Sequence, residues 1–182
     1  MPFTDPSRNQ RFEADVLPHS AAAFNLARWL TRREADAADI VQEALMRALQ
    51  YFGGYRGGDV RSWLLSIVRN CAYSWLKSNP PSGQDTAQCE WESAQGPWEA
   101  AASSSGDPMG ALVSQDEATR LRRAIARLPA EHREVLILRE FEDLSYRQIA
   151  TIVGSPIGTV MSRLSRARDE LGTRLRAEAD RS

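Results

Sequence analysis

The residues in this chain best equipped for chemistry are hydrogen-bond donors, not nucleophiles. Thr159, Ser162, Arg163 and Arg166 lie in a stretch where Val160, Leu164, Ala167, Leu171 and Leu175 return at helical spacing. At about 100° per residue those apolar residues share one stripe. Thr159, Ser162, Ser165, Arg166 and Asp169 fall on the opposite face, and Arg163 and Arg168 flank the stripe on its two sides. One face can pack inward while the other offers hydroxyls and a guanidinium. A guanidinium fork matches the edge of guanine, and hydroxyls bond bases or phosphates, so the chemistry is recognition of nucleic acid. Arg174 and Arg176 lie farther along, where backbone phosphates could be met.

A polar helix face is common, and the preceding residues add the weight. Ser145 with Gln148 three residues later is a capping-box pattern. Ile149, Ile152 and Val153 are the apolar positions of the helix it opens, and Gly154 is placed to close it. Ser155 as N-cap and Pro156 at the first helical position should then open the next helix, continuing to about Ala177. Two short helices joined by a tight glycine turn form a helix-turn-helix, whose second helix enters the major groove.

Catalytic chemistry lacks its residues. The histidines are His19 and His132 and the cysteines Cys71 and Cys89, none at metal-ligand spacing from another. No Ser/His/Asp set, Cys/His pair or phosphate-binding glycine loop can be read, so no enzyme activity, cofactor or metal is expected. Two free cysteines suit a reducing cytoplasm. Met1 to Gln10 lacks the apolar core of a secretion signal, and no run approaches the ~20 apolar residues of a membrane span. A cytoplasmic protein with no membrane insertion of its own is expected.

The elements that must position the donors divide the chain in three. Its 182 residues are 42% hydrophobic and 26% charged, enough for one domain or two small ones. The net charge of −1 hides an uneven distribution. Residues 1–77 carry 10 Lys/Arg against 8 Asp/Glu, residues 78–117 none against 7, and residues 118–182 carry 13 against 9. Two mildly basic flanks enclose an acidic middle. From Ser78 to about Pro108 the middle is rich in Pro, Gly, Ser and acidic residues without a period, which reads as a disordered linker. Trp91 and Trp98 within it are either weakly ordered aromatics or docking residues for a larger partner.

Both flanks read as helical. Ala21 to Leu30 places Phe24, Ala27 and Leu30 at helical spacing, with Pro18 kinking or starting the element. Asp39 to Leu49 carries a stripe at Val41, Ala44, Leu45, Ala48 and Leu49. Tyr51 to Asp59 holds four glycines and should be a loop. A long helix follows, with Trp63, Leu64, Ile67, Val68, Cys71 and Trp75 on its apolar side, stopping near Asn79-Pro80-Pro81. The C-terminal flank gives four helices: about Asp116 to Leu128, one after Pro129 carrying Val135, Leu136 and Leu138, and the two of the helix-turn-helix. The fold class is all-α: two small helical domains joined by a flexible acidic linker, with boundaries 1–77, 78–112 and 113–182.

These blocks together resemble a family. Ala37-Ala38-Asp39-Ile40-Val41-Gln42-Glu43-Ala44, then Trp63-Leu64 and Ile67-Val68-Arg69-Asn70, form one block. Leu128-Pro129 through Leu144-Ser145-Tyr146-Arg147-Gln148-Ile149-Ala150, then Pro156 to Arg168, form the other. In order and spacing they resemble the bacterial extracytoplasmic-function (ECF) sigma factors, promoter-recognition subunits of RNA polymerase, over about three quarters of the chain.

The resemblance implies an alternative sigma factor that directs transcription initiation, often in a stress response. Its partners would be core RNA polymerase (the largest subunit's clamp helices and the flap), promoter DNA and an anti-sigma factor holding it inactive. It places Asp39, Gln42 and Glu43 against the clamp helices. These residues lie off the apolar stripe, so they can face a partner. It assigns the glycine loop and next helix to opening and reading the −10 element, which needs stacking aromatics and cations. Tyr51, Phe52, Tyr55, Arg56, Arg61, Arg69, Asn70, Tyr73 and Lys77 supply those types. Core packing is the other use for Phe52, Trp63 and Trp75, and the preferred one for Trp63. It assigns Tyr146, Arg147, Thr159, Ser162, Arg163 and Arg166 to the −35 element, with Met161 where relatives frequently carry Arg. The acidic linker resembles the segment that threads the polymerase cleft. A stand-alone helix-turn-helix regulator would need neither the Gln42-Glu43 helix nor the aromatic glycine loop, and a sigma-mimicking partner-switch protein would carry an extra receiver domain.

Overall fold

The structure is a computed structural model that describes residues 6–80 and 108–179, with side chains over 6–80 and 117–177. Every regular element among the described residues is helical. In the N-terminal part, α1 (Pro6–Asp15), a 3-10 turn at Leu17–His19, α2 (Ser20–Thr31), α3 (Glu34–Tyr51), a second 3-10 turn at Phe52–Gly54 and α4 (Val60–Ser78) follow in order. The C-terminal part holds α5 (Pro108–Ala126), α6 (Ala130–Glu140), α7 (Tyr146–Val153) and α8 (Ile157–Ala179).

Local chemistry fixes the ends. Pro18 lies in the turn that starts α2, where a missing N–H costs nothing. Arg32 closes α2 in the left-handed region at φ 64°. Glu34 and Asp36 open α3 next to the positive end of its dipole. Asp59 caps α4 by accepting from the Ser62 backbone N–H at 3.1 Å. Ser145 and Gln148 form the reciprocal capping box of α7, and Gly154 closes it at φ 64°.

One helix is additional and two expectations shift. α1 has no forecast, because Phe12 and Val16 are its sparse apolar signal; Phe12 is buried edge-on against Phe52, 5.4 Å between ring centroids. α5 begins at Pro108 rather than near Asp116. α8 begins at Ile157, so Pro156 takes the cap position expected of Ser155; its carbonyl accepts from Thr159 N and Val160 N. Most of the expected linker, with Cys89, Trp91 and Trp98, lies outside the described residues.

Alanine and leucine build the first core. Ala23, Ala27, Ala37, Ala44, Ala48 and Ala72 are fully buried between α2, α3 and α4, and small side chains let the helices approach. Leu26, Leu30, Ile40, Leu64, Leu65, Val68 and Cys71 fill the remaining space. Leu128, Val135, Leu138, Leu144, Ile149, Ile152, Val160, Leu164 and Ala167 make the second core. The two are continuous, with α2 packing on α6 and α4 on α7. Trp29 on α2 meets Phe141 beyond α6 at 5.8 Å between ring centroids. The Arg133 side chain, 2% exposed, donates to the carbonyls of Ala126 (2.8 Å) and Leu128 (3.0 Å) and, across the boundary, to Leu30 at 3.3 Å. The Ala126 and Leu30 carbonyls lie in the last turns of α5 and α2, where the helix ladder supplies no partner, and Leu128 lies in the bend before Pro129.

Candidate nucleic-acid and polymerase interfaces

The stripe forecast for the last helix is what packs. Val160, Leu164 and Ala167 are buried, Ser162, Ser165 and Arg166 are exposed, and Thr159 is partly exposed. Among the described residues Arg166 and Arg147 have no ion-pair partner. Ser162 Oγ donates back to the Gly158 carbonyl at 2.9 Å, which leaves its lone pairs outward. Arg163 leans off this face and pairs with Glu131 at 2.8 Å, with Glu134 at 3.9 Å. Arg168 pairs with Glu140. Tyr146 is partly buried under the Arg139 guanidinium, 5.3 Å from the ring centroid, while Arg147 is exposed beside it.

The glycine loop and α4 hold the second set. Phe52 is buried, its faces taken by Phe12 and Tyr55, so it serves the core and not a stacking platform. Tyr55 lies against Trp63 at 4.9 Å between centroids. Burial first, then the carboxylates of Asp59 and Asp15, push its phenol above the ordinary tyrosine range, so it stays neutral. Its buried hydroxyl has no hydrogen-bond partner among the described residues. Tyr51, Arg56, Asn70 and Lys77 are exposed.

Arg61 and Arg69 are committed elsewhere. Arg61 donates to Glu142, and Arg69 donates to both oxygens of Glu134, Nε to Oε2 at 2.8 Å and a terminal nitrogen to Oε1 at 3.2 Å. The Arg69 guanidinium also covers the Tyr73 ring at 4.4 Å. Glu134 is completely buried. Burial raises its carboxyl above the ordinary range, against the opposing pull of Arg69, Tyr73 and Arg163. Burial and this carboxylate push the Tyr73 phenol up.

A cleft of about 760 Å³ brings the two halves together. Tyr55, Arg56, Trp63 and Ser66 line one wall, and Arg147, Gln148 and Thr151 the other. At its edge Gln148 Nε2 donates to Asp59 Oδ2 at 2.6 Å. The hydrogen bonds from Ser62 and Gln148 outweigh desolvation and hold the Asp59 carboxyl below the usual aspartate range.

On α3, Asp39, Gln42 and Glu43 share an exposed face away from Ile40, Ala44 and Ala48. Glu43 pairs with Arg47 one turn on. The comparisons give this geometry its context. Residues 16–80 match Sigma-70 region 2, and residues 118–171 match Sigma-70, region 4. RNA polymerase sigma-H factor of Pseudomonas aeruginosa is 32% identical over 164 residues, covering 88% of this chain and 83% of that protein. The chain belongs to the ECF sigma factors. ECF RNA polymerase sigma-E factor of Escherichia coli K12 is also 32% identical, over 77% of this chain and 74% of that one. Among solved structures, the sigma factor RpoE in complex with the anti-sigma factor NepR from Bartonella quintana aligns with a TM-score of 0.68 at 27% identity, covering 92% of this chain and 98% of that one. CnrH in complex with the cytosolic domain of CnrY aligns with a TM-score of 0.64 at 20% identity over 93% and 90%, a likeness of fold.

Sigma factors are non-enzymatic initiation subunits. Met46, which sequence reasoning did not single out, is 60% exposed on the same side of α3 as Gln42 and Glu43. An apolar residue off the buried stripe was the signal available. It also missed the acids that meet the α4 cations, Glu134 and Glu142, because a side chain's partner in another domain has no sequence period. No described helix is long and apolar enough to cross a membrane, and no three described His, Cys, Asp or Glu converge as a metal site would.

Proposed function

We propose that this sigma factor acts in the cytoplasm as an alternative specificity subunit, with region assignments 1–77, 78–112 and 113–182. Residues 1–77 dock core polymerase through Asp39, Gln42 and Glu43, with Met46 adding apolar contact. Tyr55, Arg56, Arg61, Arg69, Asn70, Tyr73 and Lys77 serve the −10 element. Tyr146, Arg147, Thr159, Ser162, Arg163 and Arg166 serve the −35 element. The acidic segment 78–112 follows the polymerase cleft, its negative charge suiting a channel built for nucleic acid. An anti-sigma factor covers the readers until a signal arrives; the RpoE structure is a complex with the anti-sigma factor NepR, and the CnrH structure a complex with the cytosolic domain of CnrY.

One observation carries the −35 reading: α8 buries Val160, Leu164 and Ala167 and turns Ser162, Ser165 and Arg166 outward behind a capped α7. Run-off transcription with purified core polymerase on a genomic fragment library tests the whole. Discrete start sites that need this chain are expected; no chain-dependent start would overturn the reading.

A further inference from the structure

Two apolar side chains on the reader helix face water. Met161 is 52% exposed and Ile157 43%, both near the start of α8. They stand one helical turn apart, so their side chains are neighbours on the helix surface. Neither belongs to the stripe of Val160, Leu164 and Ala167 that packs inward. At about 100° per residue Met161 lies beside Ser162 and Ser165 on the outward half of the helix. A thioether recognises through contact and loss of water rather than through directed hydrogen bonds.

The surroundings of Met161 decide what fits it. From Ile157 to Arg168 the helix carries no Asp or Glu, and Arg166 is exposed, a charge that suits a polyanion. Gly158 borders Met161, and nothing lies within 4 Å of the place its Cβ would take, so the backbone beside the thioether can come close to a partner. The first turns of the second helix in a helix-turn-helix meet base edges in the major groove. The apolar group displayed there is the C5-methyl of thymine. Ser162 points to the same base pair. Its hydroxyl donates to the Gly158 carbonyl at 2.9 Å and is left with acceptor positions. Acceptors suit the amino groups that adenine and cytosine present, not the acceptor edge of guanine. Thymine for Met161 and adenine for Ser162 are both supplied by A·T pairs.

We propose that Met161, backed by Ile157, meets the C5-methyl group of a thymine in the −35 element and thereby selects an A·T pair at that position. The inference rests on the −35 reading of α8 given above and names a base that the helix prefers. The other candidate occupant of an exposed apolar patch is a protein partner, and the Met161 variant below separates the two.

The test exchanges thymine for deoxyuridine, one position at a time on each strand, across the −35 stretch of a promoter mapped by run-off. Each exchange removes a methyl group and leaves every hydrogen-bonding group of the groove in place. Holoenzyme binding is read by competition against the unmodified promoter. At one position, or two neighbouring ones, the wild type is expected to bind about fourfold more weakly, as for one methyl-sized group returned to water. Met161→Ala is expected to bind the unmodified promoter more weakly and to lose the distinction, so that its thymine and deoxyuridine templates bind equally. Met161 is exposed, so this truncation opens no cavity in the core. A wild type indifferent to every methyl, or a methyl effect that survives Met161→Ala, overturns the proposal. So does a Met161→Ala chain that distinguishes the templates normally but assembles poorly with core polymerase, since the patch would then be a protein contact. If scrambling the whole −35 stretch leaves binding unchanged, the −35 reading itself fails. A loss on scrambling with no response to deoxyuridine overturns this inference alone.

Discussion

α4 and α8 are both long amphipathic helices with arginines on their outer faces, yet those arginines are used differently. On α8, Arg166 is exposed among hydroxyls, and the paired Arg163 and Arg168 flank the stripe. On α4, Arg61 and Arg69 cross the domain boundary to Glu142 and Glu134. The difference follows from what each helix packs against. α8 meets other helices of its own domain along a single stripe, so its far side stays in water. α4 meets α2 and α3 on one side and α7 on another, so part of its polar face is enclosed. Enclosed cations must find anions, since an unpaired buried charge costs far more than an exposed one.

The largest effect is expected at the residue that joins the halves. Arg133→Ala strips the charged donor from three carbonyls, one of them on α2, and should lower unfolding stability by about 3 kcal/mol in a urea titration. A loss below about 1 kcal/mol would mean water replaces it readily.

The readers themselves are separated by a pair of substitutions. Arg166→Ala should cost about 1–3 kcal/mol at one base pair of the −35 element, in the free chain and in holoenzyme alike. Arg69→Ala should weaken −10 binding in holoenzyme and change little in the free chain, where Glu134 already holds the guanidinium. Binding assays across single-base promoter variants check both, and equal losses in both contexts for Arg69→Ala would remove the asymmetry.

Asp59 both caps α4 and receives Gln148 across the boundary. Asp59→Ala should cost about 1 kcal/mol of thermal stability. Part of this loss should already be present in a Gln148→Ala background, and the shortfall from additivity measures the crossing bond.

The smallest effects concern pH, and the two carboxyls act in opposite directions. Asp59 is held below the usual aspartate range, so its contribution is present above that range and lost as pH falls through the lowered value. Glu134 is raised above the ordinary glutamate range by burial, against the pull of Arg69. Its contribution is full below the ordinary glutamate range and is lost as pH rises through the raised value. Thermal unfolding over a pH series should lose its acid-side slope in Asp59→Asn and its higher-pH slope in Glu134→Gln. Retention of either slope would assign it to other groups.

Much of the architecture was legible because it is local. The Ser145/Gln148 box, Gly154 and the Val160, Leu164, Ala167 stripe each depend on residues within two turns of one another, and each formed as spacing demanded. The expected glycine loop is open only from Tyr55, with Tyr51 in α3 and Phe52–Gly54 in a 3-10 turn. α1 was not legible, because its burial depends on Phe52 some forty residues away. Nor was the loss of Phe52 as a stacking face, for the same reason.

The amino-acid sequence alone determined the helices, their polar faces and the donors they carry, since periodicity and capping are properties of neighbours along the chain. Which donors remain open follows from packing between distant segments. Arg61, Arg69 and Arg166 look alike as residues, and what distinguishes them is whether a carboxylate from a distant segment lies within reach, a matter of packing that no local pattern encodes.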